Sequence, residues 1–218
     1  GDILDMGSAH SGCRGYLAVT GGIDVPVVMG SRSTYVDAKF GGFNGRLLAT
    51  EDVVWRGEGT LIDTARRLPE KLIPRYASEI VLRAILGPQY YFFADGILTF
   101  FGSEFVADAN SNRMGYRLRG PRIIQCDGTP KSILSEPTLP GGVQVPADGQ
   151  PIILLVEQTA GGYTKIATVI SADIPLIAQA RPGDRLRFRQ VSLEAGHAAF
   201  RRQEQLITSI KNLLGETA

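Results

Sequence analysis

The chain has 218 residues, of which 44% are hydrophobic and 21% charged, and its formal net charge at pH 7 is +1. This balance is typical of a globular protein that buries a sizeable core, and it predicts no basic face of the kind that nucleic-acid binding demands. The longest apolar run, residues 151–156, is far below the roughly 20 residues of a membrane helix. We therefore expect neither a nucleic-acid partner nor a membrane span.

The first third of the chain reads as short strands joined by long turns. Residues 14–28 are rich in apolar side chains and predict a strand buried on both faces. A polar loop at 30–45 follows, and then a pair of short strands at 46–48 and 52–55. Residues 57–78 combine Gly, Pro and charge with little strand pattern, which predicts a linker with at most a helical turn.

The next segment begins with a strand at 79–88. A helix is expected at 89–103 because its aromatic and aliphatic side chains share one side, and an alternating strand is expected at 111–121. Residues 150–157 and 164–171 flank a glycine-containing loop and predict a β-hairpin.

The end of the chain predicts two helices around one strand. Asp173 is the expected N-cap of a short helix, and Leu186 and Phe188 alternate along a final strand. Ser192 is expected to cap an amphipathic helix that carries Phe200 and Ile207 on one face. Together these elements predict a β-rich α+β protein built around a barrel.

Cysteine and histidine usage argues against metal and nucleophile chemistry. Cys13 and Cys126 are far apart, which implies no disulfide framework and a reducing cytoplasm. Only His10 and His197 are available as imidazole ligands, so no metal site is expected. Cys13 is expected to be a small buried thiol. No phosphate-binding P-loop sequence is present in the 218 residues.

Three glycine-rich stretches keep polar residues together and are the candidate sites. They are residues 30–34, 135–151 and 159–165. The glycine-rich run at 41–46 could also form a weak anion-binding nest. Turn chemistry and capping explain all of these stretches equally well at this point.

Several long motifs in fixed order carry a family resemblance. They are "YLAVTGGIDVPVVMGSRST", "GGFNGRLL", "SNRMGYRLRGP", "LSEPTLPGGVQVPADGQPIILL", "TAGGYTKIATVISAD" and "ARPGDRLRF". On these the chain is identified as a member of the allophanate hydrolase subunit 2 family, which is the A/B part of the biotin-dependent carboxyltransferase domain. The resemblance runs from residue 1 to about residue 194.

The resemblance implies cyclophilin-like β-barrel domains. It assigns residues 1–56 to the C-terminal part of a first domain, 79–194 to a second barrel and 195–218 to a C-terminal helix. Family members carry a further N-terminal segment, so a truncated or processed chain is expected.

The resemblance also implies a subunit of a heteromeric enzyme acting on an amide or lactam. An ATP-dependent 5-oxoprolinase, which converts 5-oxoproline to glutamate, is the leading interpretation. Its partners would be a sister subunit of the allophanate hydrolase subunit 1 family and a third, lactam-opening subunit, with ATP used by the complex. The alternatives are biotin-dependent carboxyl transfer to urea, the only one that requires biotin, and a regulatory protein that antagonises a sister-family kinase inhibitor.

A planar amide needs donors toward its carbonyl oxygen and an acceptor toward its N–H, which selects the candidate residues. The candidate catalytic residues are Lys165 and Glu136; the candidate substrate-binding residues are Gln144, Thr159, Gly161, Gly162, Tyr163, Arg32, Ser33, Thr34 and Arg113.

Each candidate side chain also has a purely structural interpretation. Tyr163 can be packing, and Lys165 can belong to a solvated strand face because it alternates with its neighbours. Gln144 can satisfy buried backbone groups, and Arg113 can fix a turn.

Overall fold

The computed structural model describes residues 2–60 and 66–215, so part of the expected linker at 57–78 lies outside the described residues. The chain divides into two compact units. One comprises Gly1–Arg14 and Leu68–Ala218, and the other comprises Gly15–Arg67.

The larger unit contains all the regular strands and helices of the described residues. Its elements are β1 Glu79–Leu86, α1 Asp95–Gly102, β2 Glu104–Ala107, β3 Gly115–Arg119, β4 Ser132–Pro137, β5 Gly142–Val145, β6 Ile152–Leu154, β7 Ala160–Val169, α2 Ile174–Ala178, β8 Arg185–Gln190 and α3 Leu193–Leu213. Single 3-10 turns occur at Glu70–Leu72, Tyr90–Phe92 and Ser171–Asp173.

Seven of these strands close into a barrel. The ring runs β1-β8-β2-β3-β6-β5-β7 and returns to β1, because Ala84 to Leu86 pair antiparallel with Val169 to Ala167. β1 and β8 pair in parallel, and β4 joins β7 outside the ring. Closure leaves the seven ring strands without free edges. The expected β-rich barrel with a few helices is confirmed.

Alternating side chains from the strands fill the barrel core, as the period of two requires. Leu82, Phe105, Leu118, Ile153 and Leu186 are all almost completely buried. Phe100 of α1 reaches the same core and stacks on Phe188, with ring centroids 4.2 Å apart. The expected one-sided apolar face of this helix is therefore present, although the α-helix itself begins only at Asp95.

The C-terminal helix begins where the sequence predicts. Ser192 Oγ accepts a hydrogen bond of 3.2 Å from Ala195 N, which is an N-cap interaction. Gly196 and Ala199 of α3 are buried, whereas Phe200 and Ile207 remain 46% and 41% exposed. No helix within residues 2–60 and 66–215 is both long and apolar enough to cross a membrane.

The smaller unit forms no regular strand among its described residues. The expected strands at 14–28, 46–48 and 52–55 are therefore wrong, and three isolated bridges, Ile23↔Arg56, Val28↔Ser31 and Tyr35↔Phe40, stand in their place. A strand requires a continuous hydrogen-bonded partner, which these described residues do not supply to one another.

Two expectations for the larger unit are also corrected. The segments at 150–157 and 164–171 form no hairpin, because β6 pairs with β3 and β5 whereas β7 pairs with β1, β4 and β5. Asp173 does not cap α2 with its side chain, because its carboxylate instead binds Arg83. Local sequence patterns do not reveal such long-range partners.

Candidate functional site

Lys165 lies in the middle of β7, where four consecutive residues, 164–167, are buried. The residue is 7% exposed, so its interpretation as part of a solvated strand face is wrong. Its ammonium Nζ lies 2.5 Å from Glu136 Oε1 of β4, a strand that also pairs with β7. A buried cation that retains one partly exposed carboxylate partner is a common arrangement at functional sites.

Gln144 of β5 stands directly opposite Lys165 in the β5–β7 register. Its side chain is almost completely buried, and its amide nitrogen Nε2 has no hydrogen-bond partner in the described part of the chain. The alternative that this amide group satisfies buried backbone is therefore not supported. A buried donor without a partner costs free energy, which indicates a site where a bound molecule can supply the acceptor.

Gly161 gives the Gln144 amide its room. A Cβ atom at this position would lie 2.5 Å from Gln144 Nε2, closer than real contacts allow. Gly161 also stands opposite Glu136 in the β4–β7 register. The glycine is needed for a close side-chain approach within strand β7, and the expectation of a loop at this position is corrected.

The structure reveals a neighbouring residue that the sequence reasoning missed. Gln89 follows the end of β1, and its side-chain Oε1 accepts a 3.0 Å hydrogen bond from Lys165 N. A single polar side chain after "GP" in an otherwise aromatic stretch was the available signal. Gln125 was also missed; its amide binds the hydroxyl of Thr164, and both residues are buried.

The charges of the cluster set the protonation state of Glu136. The adjacent Lys165 ammonium lowers the pKa of the Glu136 carboxyl below its ordinary value, and Gln89 makes a smaller contribution in the same direction. The carboxyl is therefore ionised at neutral pH and is equipped to accept a proton.

The ammonium of Lys165 retains capacity to donate. Its Nζ is buried and has no hydrogen-bond partner of good geometry among the described residues, although the ion pair with Glu136 is close. Because an ammonium group carries three donors, a bound acceptor can still be accommodated. Lys165 Nζ and Gln144 Nε2 are thus two buried donors that can serve one ligand.

Other candidates of the glycine-containing stretch lie along the β4–β7 pair. Thr159 accepts a 3.1 Å hydrogen bond at its carbonyl oxygen from Thr138 N. Tyr163 stands opposite Ser132 and is 45% exposed. A Cβ atom at Gly162 would lie 3.0 Å from the carbonyl oxygen of Ile133.

Arg113 makes a 2.8 Å ion pair with Glu157. This contact agrees with its structural interpretation as a residue that fixes a turn. Binding of substrate by Arg113 remains a prediction.

Arg32, Ser33 and Thr34 belong to the smaller unit. Arg32 Nε donates to the carbonyl oxygen of Val25 over 3.1 Å, and Ser33 N donates to Ser31 Oγ over 3.0 Å. Thr34 Oγ1 accepts a 3.0 Å hydrogen bond from Phe43 N. These contacts hold a local loop together, and the binding role of the three residues remains a prediction.

Two further expectations concern metal and thiol chemistry. Among the described residues no group of three or more Cys, His, Asp or Glu side chains could hold a metal ion. Cys13 is exposed, so the expectation of a buried thiol is corrected. Its segment lies against α2, because Gln179 Oε1 accepts hydrogen bonds from Cys13 N and Arg14 N, each of 2.9 Å.

The larger unit is thus a closed barrel domain with a buried Lys–Glu–Gln cluster suited to an amide or a carboxylate. The sequence matches the family described as "Carboxyltransferase domain, subdomain A and B" over residues 1–190. The chain belongs to this carboxyltransferase family, as the motifs predicted.

Curated relatives support the same assignment. The chain is 41% identical over 207 residues to a 5-oxoprolinase subunit of Escherichia coli strain K12, and the match covers 94% of this chain and 64% of that protein. It is 35% identical over 218 residues to the 5-oxoprolinase subunit of the same name from Haemophilus influenzae, covering 99% of this chain and 68% of the relative. The chain therefore spans about two thirds of the length of these relatives.

Solved structures share the fold. The K. lactis urea amidolyase crystal structure superimposes with a TM-score of 0.80 at 28% identity, covering 93% of this chain and 13% of that one. The protein TTHA0988 superimposes with a TM-score of 0.69 at 34% identity, covering 83% of this chain and 34% of that one.

Proposed function

We propose that the chain is part of a subunit of an ATP-dependent 5-oxoprolinase, which opens the lactam of 5-oxoproline to give glutamate. The observation that carries this proposal is the buried pair of unused donors, Gln144 Nε2 and Lys165 Nζ, beside an ionised carboxylate. Similarity to two proteins named as 5-oxoprolinase subunits supports the choice of substrate.

The cluster can bind a planar lactam from both of its polar sides. Gln144 Nε2 and Lys165 Nζ donate to the carbonyl oxygen, on which negative charge grows when a nucleophile attacks the carbonyl carbon. Glu136 accepts a proton, because its lowered pKa keeps it ionised. Opening of the lactam breaks the C–N bond, and the departing nitrogen takes up a proton.

ATP use and partner subunits belong to the assembled complex in this proposal. The sister subunit of the allophanate hydrolase subunit 1 family and a third, lactam-opening subunit would complete the enzyme. We place the complex in the cytoplasm, where ATP is supplied.

Carboxyl transfer to urea is the second candidate. Structural similarity to the K. lactis urea amidolyase, with a TM-score of 0.80, favours it. The same two donors would then hold the urea oxygen, and biotin would be required. A biotin-carrying partner distinguishes this candidate from the lactam reaction.

Reconstitution tests the proposal. The protein is combined with its two partner subunits, ATP and 5-oxoproline, and glutamate is measured with each subunit omitted in turn. We expect glutamate only from the complete mixture. An assembled complex that makes none rejects this substrate; urea carboxylation is then assayed, and its absence favours the regulatory alternative.

Lys165→Ala tests the site within that complex. We expect the variant to bind its partners normally and to lose turnover, because the donor to the carbonyl oxygen is removed. Lys131→Ala is the matched control, since Lys131 is an exposed lysine that immediately precedes β4. Unchanged turnover in Lys165→Ala eliminates Lys165 as a catalytic residue.

A further inference from the structure

Gln89 occupies the place of a strand partner beside Lys165. Pairing between β1 and β7 ends at Leu86↔Ala167, and Gly87 N then donates to the carbonyl oxygen of Ile166 over 2.8 Å. Gln89 N donates to Lys165 O over 3.2 Å, and Gln89 Oε1 accepts from Lys165 N over 3.0 Å. One residue therefore satisfies both main-chain groups of Lys165.

The backbone at Gln89 can approach only because Gly87 precedes it. A Cβ atom at Gly87 would lie 2.5 Å from Lys165 O and 2.8 Å from Ala167 N. Both are main-chain atoms of β7, which cannot move aside without breaking the barrel pairing. The "GPQ" sequence thus combines close approach with a side chain that reaches back to the strand.

The opposite side of Lys165 is irregular. The β5–β7 register changes from Val143↔Ala167 to Gln144↔Lys165, so β7 has one extra residue, Ile166. A bulge of this kind bends the strand and changes the direction of the following side chains. The direction of Lys165 is therefore determined by the bulge on one side and by Gln89 on the other.

The other end of the Gln89 carboxamide serves the second charged group. Besides accepting from Lys165 N, the Gln89 side chain interacts with the Glu136 carboxylate and contributes to its lowered pKa. A carboxamide can do both, because it carries an acceptor oxygen and a donor nitrogen. Gln89 thus contacts both members of the ion pair.

We propose that Gln89 is a positioning residue, which fixes the Lys165 main chain and the Glu136 carboxylate in the arrangement that receives the substrate. It acts through these two groups and has no contact of its own with the reacting atoms. The inference rests on the proposed function only for its kinetic consequence. Its structural consequence can be measured without any substrate.

Three variants separate the two ends of the carboxamide. Gln89→Leu removes both interactions, whereas Gln89→Glu keeps the acceptor for Lys165 N and places a second carboxylate beside Glu136. Gln150→Leu is the matched control: Gln150 brackets the main chain of Gly120 in the same way, with hydrogen bonds of 2.9 and 3.2 Å.

The first measurement is the titration of Glu136, followed by carbon NMR of its carboxyl group in the isolated chain. We expect its pKa to rise in Gln89→Leu, to rise further in Gln89→Glu because like charges repel, and to stay unchanged in Gln150→Leu. No rise in either Gln89 variant, or an equal rise in the control, overturns the proposal. If Gln89→Leu does not fold, Gln89→Glu alone decides in the same way.

The second measurement is the kinetics of the reconstituted complex. We expect kcat in Gln89→Leu to fall by roughly 100-fold with little change in KM, because misplacement of catalytic groups by about 1 Å has an effect of this size. In Gln89→Glu the acid limb of the pH profile should move to higher pH. A shifted Glu136 titration with unchanged kcat overturns the positioning role, whereas a complex without lactam activity but with a shifted titration rejects only the proposed substrate.

Discussion

Gly161→Ala tests the cluster without removing any of its polar groups. The new Cβ atom would lie 2.5 Å from Gln144 Nε2. Non-bonded heavy atoms prefer separations of about 3.5 Å, so the amide nitrogen must retreat by about 1 Å. Because Nε2 is the far end of a flexible side chain, it can do so without disturbing the strand.

The same displacement fixes the expected loss of activity. A hydrogen bond of about 2.9 Å to the substrate oxygen would lengthen to about 3.9 Å, which is beyond hydrogen-bonding distance. Losing one donor to a developing oxyanion lowers kcat by roughly 100- to 1,000-fold. We expect a loss of this size in the assembled complex, measured as glutamate formed per unit time.

Stability should change little in this variant. Replacing a glycine inside a strand by alanine favours the folded chain by about 0.5–1 kcal/mol, and this gain offsets part of the crowding. We expect the thermal midpoint to stay within about 4 °C of the wild type. Gly102→Ala is the control, because a Cβ atom there meets nothing within 4 Å and activity should be unchanged.

A double variant provides the decisive result. If Gly161→Ala acts by displacing the Gln144 amide, it has no further effect in a Gln144→Ala background, because the displaced group is already absent. Additive losses in the double variant, or full activity in Gly161→Ala alone, refute the reasoning. A collapse of the thermal midpoint would also refute it, since the fold should tolerate the change.

Two further predictions concern ion pairs elsewhere in the chain. Arg83→Met removes the 2.6 and 3.0 Å hydrogen bonds to the buried Asp173 carboxylate, and we expect a loss of about 3 kcal/mol and a fall of roughly 10 °C in the thermal midpoint. An unchanged midpoint in a calorimetric scan would contradict this. Arg46 lowers the pKa of Asp52 from 3.8 to about 2, so this pair contributes stability above pH 3.8 that is lost as pH falls through about 2. In Arg46→Met, NMR titration should return the Asp52 pKa toward 3.8, and a value that stays near 2 would assign the shift to Ala49 N alone.

Local sequence patterns predicted the elements that depend on neighbouring residues. The alternation in β1, β3 and β8 is a property of consecutive side chains, and these strands form where it occurs. Ser192 caps α3 because its hydroxyl needs only the backbone three residues ahead. The family followed from long motifs in a fixed order, which no rearrangement of strand partners alters.

Strand pairing could not be predicted in the same way. The segments before and after the glycine stretch at 159–162 have the pattern of a hairpin, yet β5 lies between β6 and β7. Closing a barrel brings together strands that are distant along the chain, and their contacts leave no periodic signal. Asp173 shows the same limit, because its preferred partner Arg83 lies 90 residues away.

The candidate site combines both kinds of information. Its residue types were predictable from the sequence, since amide chemistry requires donors and a base, and Lys165, Glu136 and Gln144 were selected on that ground. Only the tertiary structure brought these three residues together, buried two of them and revealed the support from Gln89. The physical reason is that the sequence determines which groups are available, whereas burial and partner choice depend on pairing between β4, β5 and β7.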